Sequence, residues 1–166
     1  VNMCLNNNLK KDCSFYVSDF HLLAMILPYI NKELNEGKKV VTILEQDLQN
    51  EMETLISKMN LKEETKNKIM NINWYKAKED INNIEENTDI IVVGDKKYID
   101  NANEKIRANT SKSANTKIIN CYEVFEFNNN IDEILNYHDK ILNTSGEKEI
   151  NEIFEGYEKK KIHYGN

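Results

Sequence analysis

The residues able to do chemistry in this chain sit directly after short apolar runs. Ser18, Asp19 and His21 follow Ser14–Val17, and Glu45 and Asp47 follow Val40–Leu44. Gly94 and Asp95 follow Asp89–Val93, and Tyr122 and Glu123 close the run Thr116–Val124. Glu45 and Asp95 are the carboxylates placed to act as a general base or to hold magnesium, and His21 is a pH-sensitive group or ligand contact. Each also has a plainer reading. Asp95 beside Gly94 is a turn residue, Glu45 is the polar end of a strand, and His21 is a half-exposed helical histidine.

Phosphate chemistry needs a glycine-rich loop whose amides cradle the anion, usually with a lysine and a serine or threonine. Val17-Ser18-Asp19-Phe20-His21 has neither glycine nor lysine and carries a carboxylate that repels phosphate; no GxGxxG occurs anywhere. Cys121 lies inside an apolar strand, where a thiol is an inert core group. Cys4, Cys13 and Cys121 are odd in number and lack a CxxC spacing, which fits free thiols in a reducing compartment. Convergence of these cysteines with His21 on a metal is disfavoured without a close ligand pair. The reading assigns no catalytic residue, no metal site and no cofactor.

The elements that must position these groups alternate. Ser14–Val17 reads as a strand, followed by a helix capped at Ser18 or Asp19 that runs to about Asn35. Pro28 should kink that helix or begin its second half, and Gly37 should end it. Val40–Leu44 reads as a strand buried on both faces. Helices over Asp47–Met59 and Leu61–Met70 follow, then a weaker strand over Ile72–Tyr75 and a short helix holding Ile81 and Ile84. After the strand Asp89–Val93 come a helix over Tyr98–Ala108 and the strand Thr116–Val124. A turn at Asn128–Asn130 precedes helices over Ile131–Leu142 and Glu147 to about Lys161. Five strands alternating with helices predict an α/β fold of three layers, α/β/α, with a mostly parallel sheet. Ligands of such sheets bind beyond the carboxyl ends of the strands, which is where Tyr16, Asp19, His21, Glu45, Asp95 and Tyr122 are expected to gather.

The 166 residues amount to one domain, with a formal charge of −6. Its basic residues are 21 Lys and a single Arg, Arg107, a composition poor in the bidentate reader of phosphate and guanine, so direct nucleic-acid binding is disfavoured. Lys159–Lys161 reads as a solvated helix end. Leu22–Ile30 is far short of the roughly 20 residues a membrane span needs. Val1–Lys11 has no apolar h-region, so the expected location is cytoplasmic. His138 on its helix and His163 in the tail carry structural readings.

Several phrases resemble the MEDS domain, the methanogen/methylotroph sensory domain related to the RecA/KaiC fold but without its phosphate loop. They are Phe15-Tyr16; the helix end and following strand Pro28-Tyr29-Ile30-Asn31-Lys32-Glu33-Leu34-Asn35-Glu36-Gly37-Lys38-Lys39-Val40-Val41; Ile119-Asn120-Cys121-Tyr122-Glu123, similar to a "CxYD" strand end; and Ile131–Leu142, similar to "LLDxLRTHPxVL". The resemblance spans roughly Cys13–Leu142 and places His138 on the family's histidine. Cys13 stands near a position where many members have histidine, and Lys38 replaces a common glutamate. The resemblance implies a polar segment over 1–12, a sensory domain over 13–145 and a C-terminal helix and tail over 146–166. It also implies a RecA/KaiC-like core and a non-catalytic regulatory role. A small molecule or a regulatory protein would bind in a degenerate nucleotide cleft lined by Tyr16, Asp19, His21, Glu45, Asp95, Tyr122 and His138. Two alternatives stay open: a residual ATPase using Glu45 and Asp95 with magnesium, and an interaction scaffold. A homodimer is compatible with each.

Overall fold

A computed structural model describes residues 9–78, 84–110 and 115–158. Cys4, Ile81, His163 and the run Lys159–Lys161 lie outside them. The order is β1 (Leu9–Tyr16), α1 (Asp19–Asn35), β2 (Lys39–Leu44), α2 (Gln49–Ile56), α3 (Glu63–Met70), β3 (Thr88–Val93), α4 (Lys96–Ala108), β4 (Thr116–Glu123), α5 (Phe127–Tyr137), β5 (Lys140–Asn143), β6 (Gly146–Glu149) and α6 (Ile150–Ile153). The fold is α/β. One six-stranded sheet runs β2-β3-β4-β1-β5-β6, parallel except for the antiparallel pair of β5 and β6.

Side-chain alternation sorts the core into two layers, because successive strand residues face opposite sides. Ile91, Val93, Ile119, Cys121 and Tyr16 pack under α1, α2 and α3. Ile90, Val92, Ile118, Tyr122 and Phe15 pack under α4, α5 and α6. β3 is buried along its whole length, as a central parallel strand must be. β2 differs from the expectation: it is the sheet's edge, and Val41 is 43% exposed.

α1 starts where Ser18 Oγ accepts the His21 N–H, and it runs through Pro28 as one helix. Gly37 follows its end at φ +85, the left-handed conformation that suits a residue without Cβ. The far end of α1 is tied to the sheet through the buried Asp89, which accepts from Tyr29 Oη at 2.9 Å and pairs with Lys38 Nζ at 2.7 Å.

Four expectations for local structure are corrected. Ile72–Tyr75 forms no strand. Trp74 is instead fully buried in the α1-side core, its indole N–H donating to the Ile69 carbonyl at 2.8 Å and its own carbonyl accepting from Leu48 N–H. Asn128–Asn130 belong to α5, because Phe127 stacks on Phe15 at 4.5 Å and anchors the helix one turn early. The helix ends at Tyr137 rather than Leu142, since His138 is extended and Ile141 and Leu142 then alternate onto the two faces of the sheet as β5. Gly146, at φ +104, turns the chain into β6, so the helical pattern from Glu147 becomes a strand and the short α6.

Candidate functional site

The carboxyl ends of β1, β2, β3 and β4 bring four of the sequence-predicted residues together. Tyr16 ends β1 and is only 3% exposed. Burial pushes its phenol well above the ordinary range, and the charges of Glu123, Asp19 and Glu45 add to the shift. Those contributions mark an acidic rim of Asp19, Glu45 and Glu123, which Asp95 joins through its amide bond to Glu45. Asp19 Oδ1 accepts from Gln46 Nε2 at 2.7 Å, which links the start of α1 to the loop after β2. His21 turns back on its own loop, where Nδ1 accepts the Val17 N–H at 3.0 Å; that bond leaves the ring proton on Nε2.

The start of α4 is the best-built part of this rim. A helix N-terminus presents unpaired N–H groups and a positive dipole end, the usual seat of a phosphate. Here carboxylates take three of the amides at this end. Glu45 Oε1 accepts the Asp95 N–H at 2.9 Å, Asp95 Oδ1 accepts the Tyr98 N–H at 2.8 Å, and Glu126 Oε1 accepts the Lys96 N–H at 3.3 Å. Tyr98 Oη donates to the Leu44 carbonyl at 3.1 Å, which holds its ring over Gly94. A Cβ on Gly94 would lie 2.5 Å from Tyr98 Cδ1 and 2.9 Å from Glu45 Oε1, so only glycine fits there.

Tyr122 and His138 come together with each other and not with the other five. Both sit on the opposite face of the sheet, 1% and 0% exposed, with their rings edge to face at 6.0 Å. Asn120 Nδ2 donates to His138 Nε2 at 2.9 Å, so Nδ1 carries the proton and donates to the Ile134 carbonyl at 2.6 Å. Asn120 and Asn103 also exchange amide hydrogen bonds at 2.8 and 3.0 Å. The result is a closed buried network that holds β4, α4 and α5 together. Cys13 and Cys121 are fully buried, and burial pushes both thiols far above the ordinary range, away from nucleophilic character.

Sequence reasoning missed Gln46, Tyr98 and Glu126. Tyr98 stands three residues after the capping Asp95, a spacing that was available; Glu126 has no comparable signal, since only the fold brings it to α4. Large apolar side chains border the same face: Val17 is 70% exposed, Phe20 49%, Val124 38% and Phe125 55%. Among the described residues no group of three or more His, Cys, Asp or Glu is disposed to hold a metal ion. No helix among them is long and apolar enough to cross a membrane. Set against known protein families, curated proteins and solved structures, the chain matches none.

Proposed function

We propose that this chain is a non-catalytic sensory or regulatory domain whose carboxyl-end face takes a small ligand or a signalling protein in place of a nucleotide. One observation carries the reading. Three amides at the start of α4, a helix N-terminus of the kind that can seat a phosphate, are taken by the protein's own Glu45, Asp95 and Glu126, and the loop before α1 has no glycine or lysine to replace it. A phosphate arriving there would have to displace three carboxylates and meet the charge of Asp19 and Glu123 nearby. The exposed Val17, Phe20, Val124 and Phe125 beside this acidic rim suit an occupant that is apolar or cationic rather than polyanionic. The MEDS-like phrases point to the same regulatory class. Its place of action is the cytoplasm, and its output passes through a partner.

Calorimetric titration with ATP, with and without magnesium, tests this. The expected result is no saturable heat up to millimolar nucleotide. Saturable micromolar binding that requires the metal and is lost in Asp95→Asn would overturn the reading in favour of an ATPase-like enzyme.

A further inference from the structure

The carboxyl-end face presents an apolar patch bordered by carboxylates. Resting on the reading of this face as the binding surface, we propose that its occupant is a basic amphipathic helix of a partner protein. The apolar side of that helix covers Val17, Phe20, Val124 and Phe125, and lysines or arginines at its margins meet Asp19, Glu45 and Glu123.

The fold gathers the patch. Tyr16 and Glu123 are register partners at the ends of the adjacent parallel strands β1 and β4, and Val17 and Val124 are the next residues along each chain segment. Phe20 lies in the first turn of α1, and Phe125 in the single 3-10 turn Val124–Glu126 between β4 and α5. All four side chains are exposed, whereas Tyr16 and Tyr122 just before them are buried. Two valines and two phenylalanines at neighbouring strand ends leave apolar surface in water, which an apolar partner removes.

The charges select the partner. Asp19, Glu45 and Glu123 all act on the Tyr16 phenol, so the three surround one point of the face. Among the described residues neither they nor Asp95 take part in an ion pair. Lys96, at the start of α4, turns its ammonium to Asp100 and Glu133 instead. Unpaired carboxylates beside apolar side chains attract a partner that is both cationic and apolar, and repel an anionic one. The same sign disfavours a second copy, since a two-fold pairing brings these carboxylates against each other on a chain of formal charge −6. An extended peptide has no edge to join here, because β1 and β4 are interior strands. A helix with apolar residues on one side and cations at its margins matches both the patch and its border.

The test titrates the isotope-labelled full chain with a synthetic helical peptide of about 18 residues, leucine and lysine at amphipathic spacing, and with its leucine–glutamate counterpart. NMR locates the binding and fluorescence anisotropy measures it. The expected result is saturation by the lysine peptide alone, with shifts centred on Val17–His21, Glu45–Gln46 and Glu123–Phe125. Phe20→Ser with Phe125→Ser weakens it about tenfold at an unchanged unfolding midpoint. Asp19→Asn with Glu123→Gln weakens it about tenfold at low salt and less at high salt. Glu64→Gln with Glu104→Gln removes the same charge from the exposed surfaces of α3 and α4 and leaves binding unchanged. Failure to saturate, shifts centred elsewhere, equal binding of the glutamate peptide, or indifference to the patch substitutions overturns the proposal. So does self-association of the chain that Phe125→Ser abolishes. ATP titrated into the same preparation separates the two readings. Magnesium-dependent nucleotide binding removes the regulatory reading and this inference with it, whereas silence toward both ATP and the lysine peptide removes the helical partner alone.

Discussion

Glu45 illustrates how one side chain decides the character of the carboxyl end. Its Oε1 accepts the Asp95 N–H and lies under Gly94, so the carboxylate that sequence pattern offers as a general base is spent on holding a turn. Gly94 makes that approach possible. Gly94→Ala must push the Tyr98 ring or the Glu45 carboxylate aside, and overpacking of this kind costs about 1–3 kcal/mol. Urea denaturation measures it. A loss near zero would mean that the Tyr98 ring yields freely and that its bond to Leu44 does not hold it. The same lesson applies to His138 and Tyr122. Their neighbours along the chain suggest a site, but strand parity puts Tyr122 on the face away from Tyr16, and His138 follows it into the core.

At the scale of elements, α1 depends on how it begins and ends. Ser18 closes its start, and Gly37 releases the chain toward β2 in a conformation that L residues adopt at a cost. A Cβ at Gly37 would meet nothing within 4 Å, so Gly37→Ala isolates the backbone effect from any clash. The expected loss is about 1 kcal/mol by urea midpoint, with Gly37→Asn less damaging because asparagine tolerates this conformation. Equal losses in the two variants would point to a cause other than the dihedral angle. These ends were legible in the sequence, as were β3, β4, the second half of β1 and the alternation that makes the sheet mostly parallel; the first half of β1, Leu9–Cys13, was not. Cap residues and β-branched runs act locally and leave local signals. What was not legible depends on partners far along the chain. Ile72–Tyr75 looks like a strand until Trp74 finds the Ile69 carbonyl and the core beneath α1. Ile141 and Leu142 continue a helical pattern until the open edge of β1 captures them. Glu126 reaches α4 only because β4 and α4 are neighbours in space.

The whole molecule is polar at both ends of its sheet, and the amino end couples folding to protons. Asp12 and Glu147 lie together there with Lys117, and their shifts run in opposite directions: Asp12 is raised to about 8, chiefly by burial, while Glu147 is held down to about 2 by hydrogen bonds to Asp12 and Lys117 outweighing its own burial. For Asp12 the unfolded chain gives up its proton at the ordinary value of 3.8 and the folded chain near 8. Between these values the folded state binds more protons than the unfolded one, so stability contributed by neutral Asp12 is complete below the lower value and is lost as pH rises toward the upper. Glu147 acts at lower pH: its contribution is present above 4.5 and is lost as pH falls toward about 2. Asp12→Asn removes the first of these dependences and leaves a neutral side chain of the same shape. Urea midpoints at about pH 5 and about pH 8 should therefore show the wild type losing more than about 1 kcal/mol relative to Asp12→Asn across that interval. Parallel curves for the two proteins would mean that Asp12 is ionised in the folded state already at pH 5, with Lys117 and Lys140 outweighing its burial.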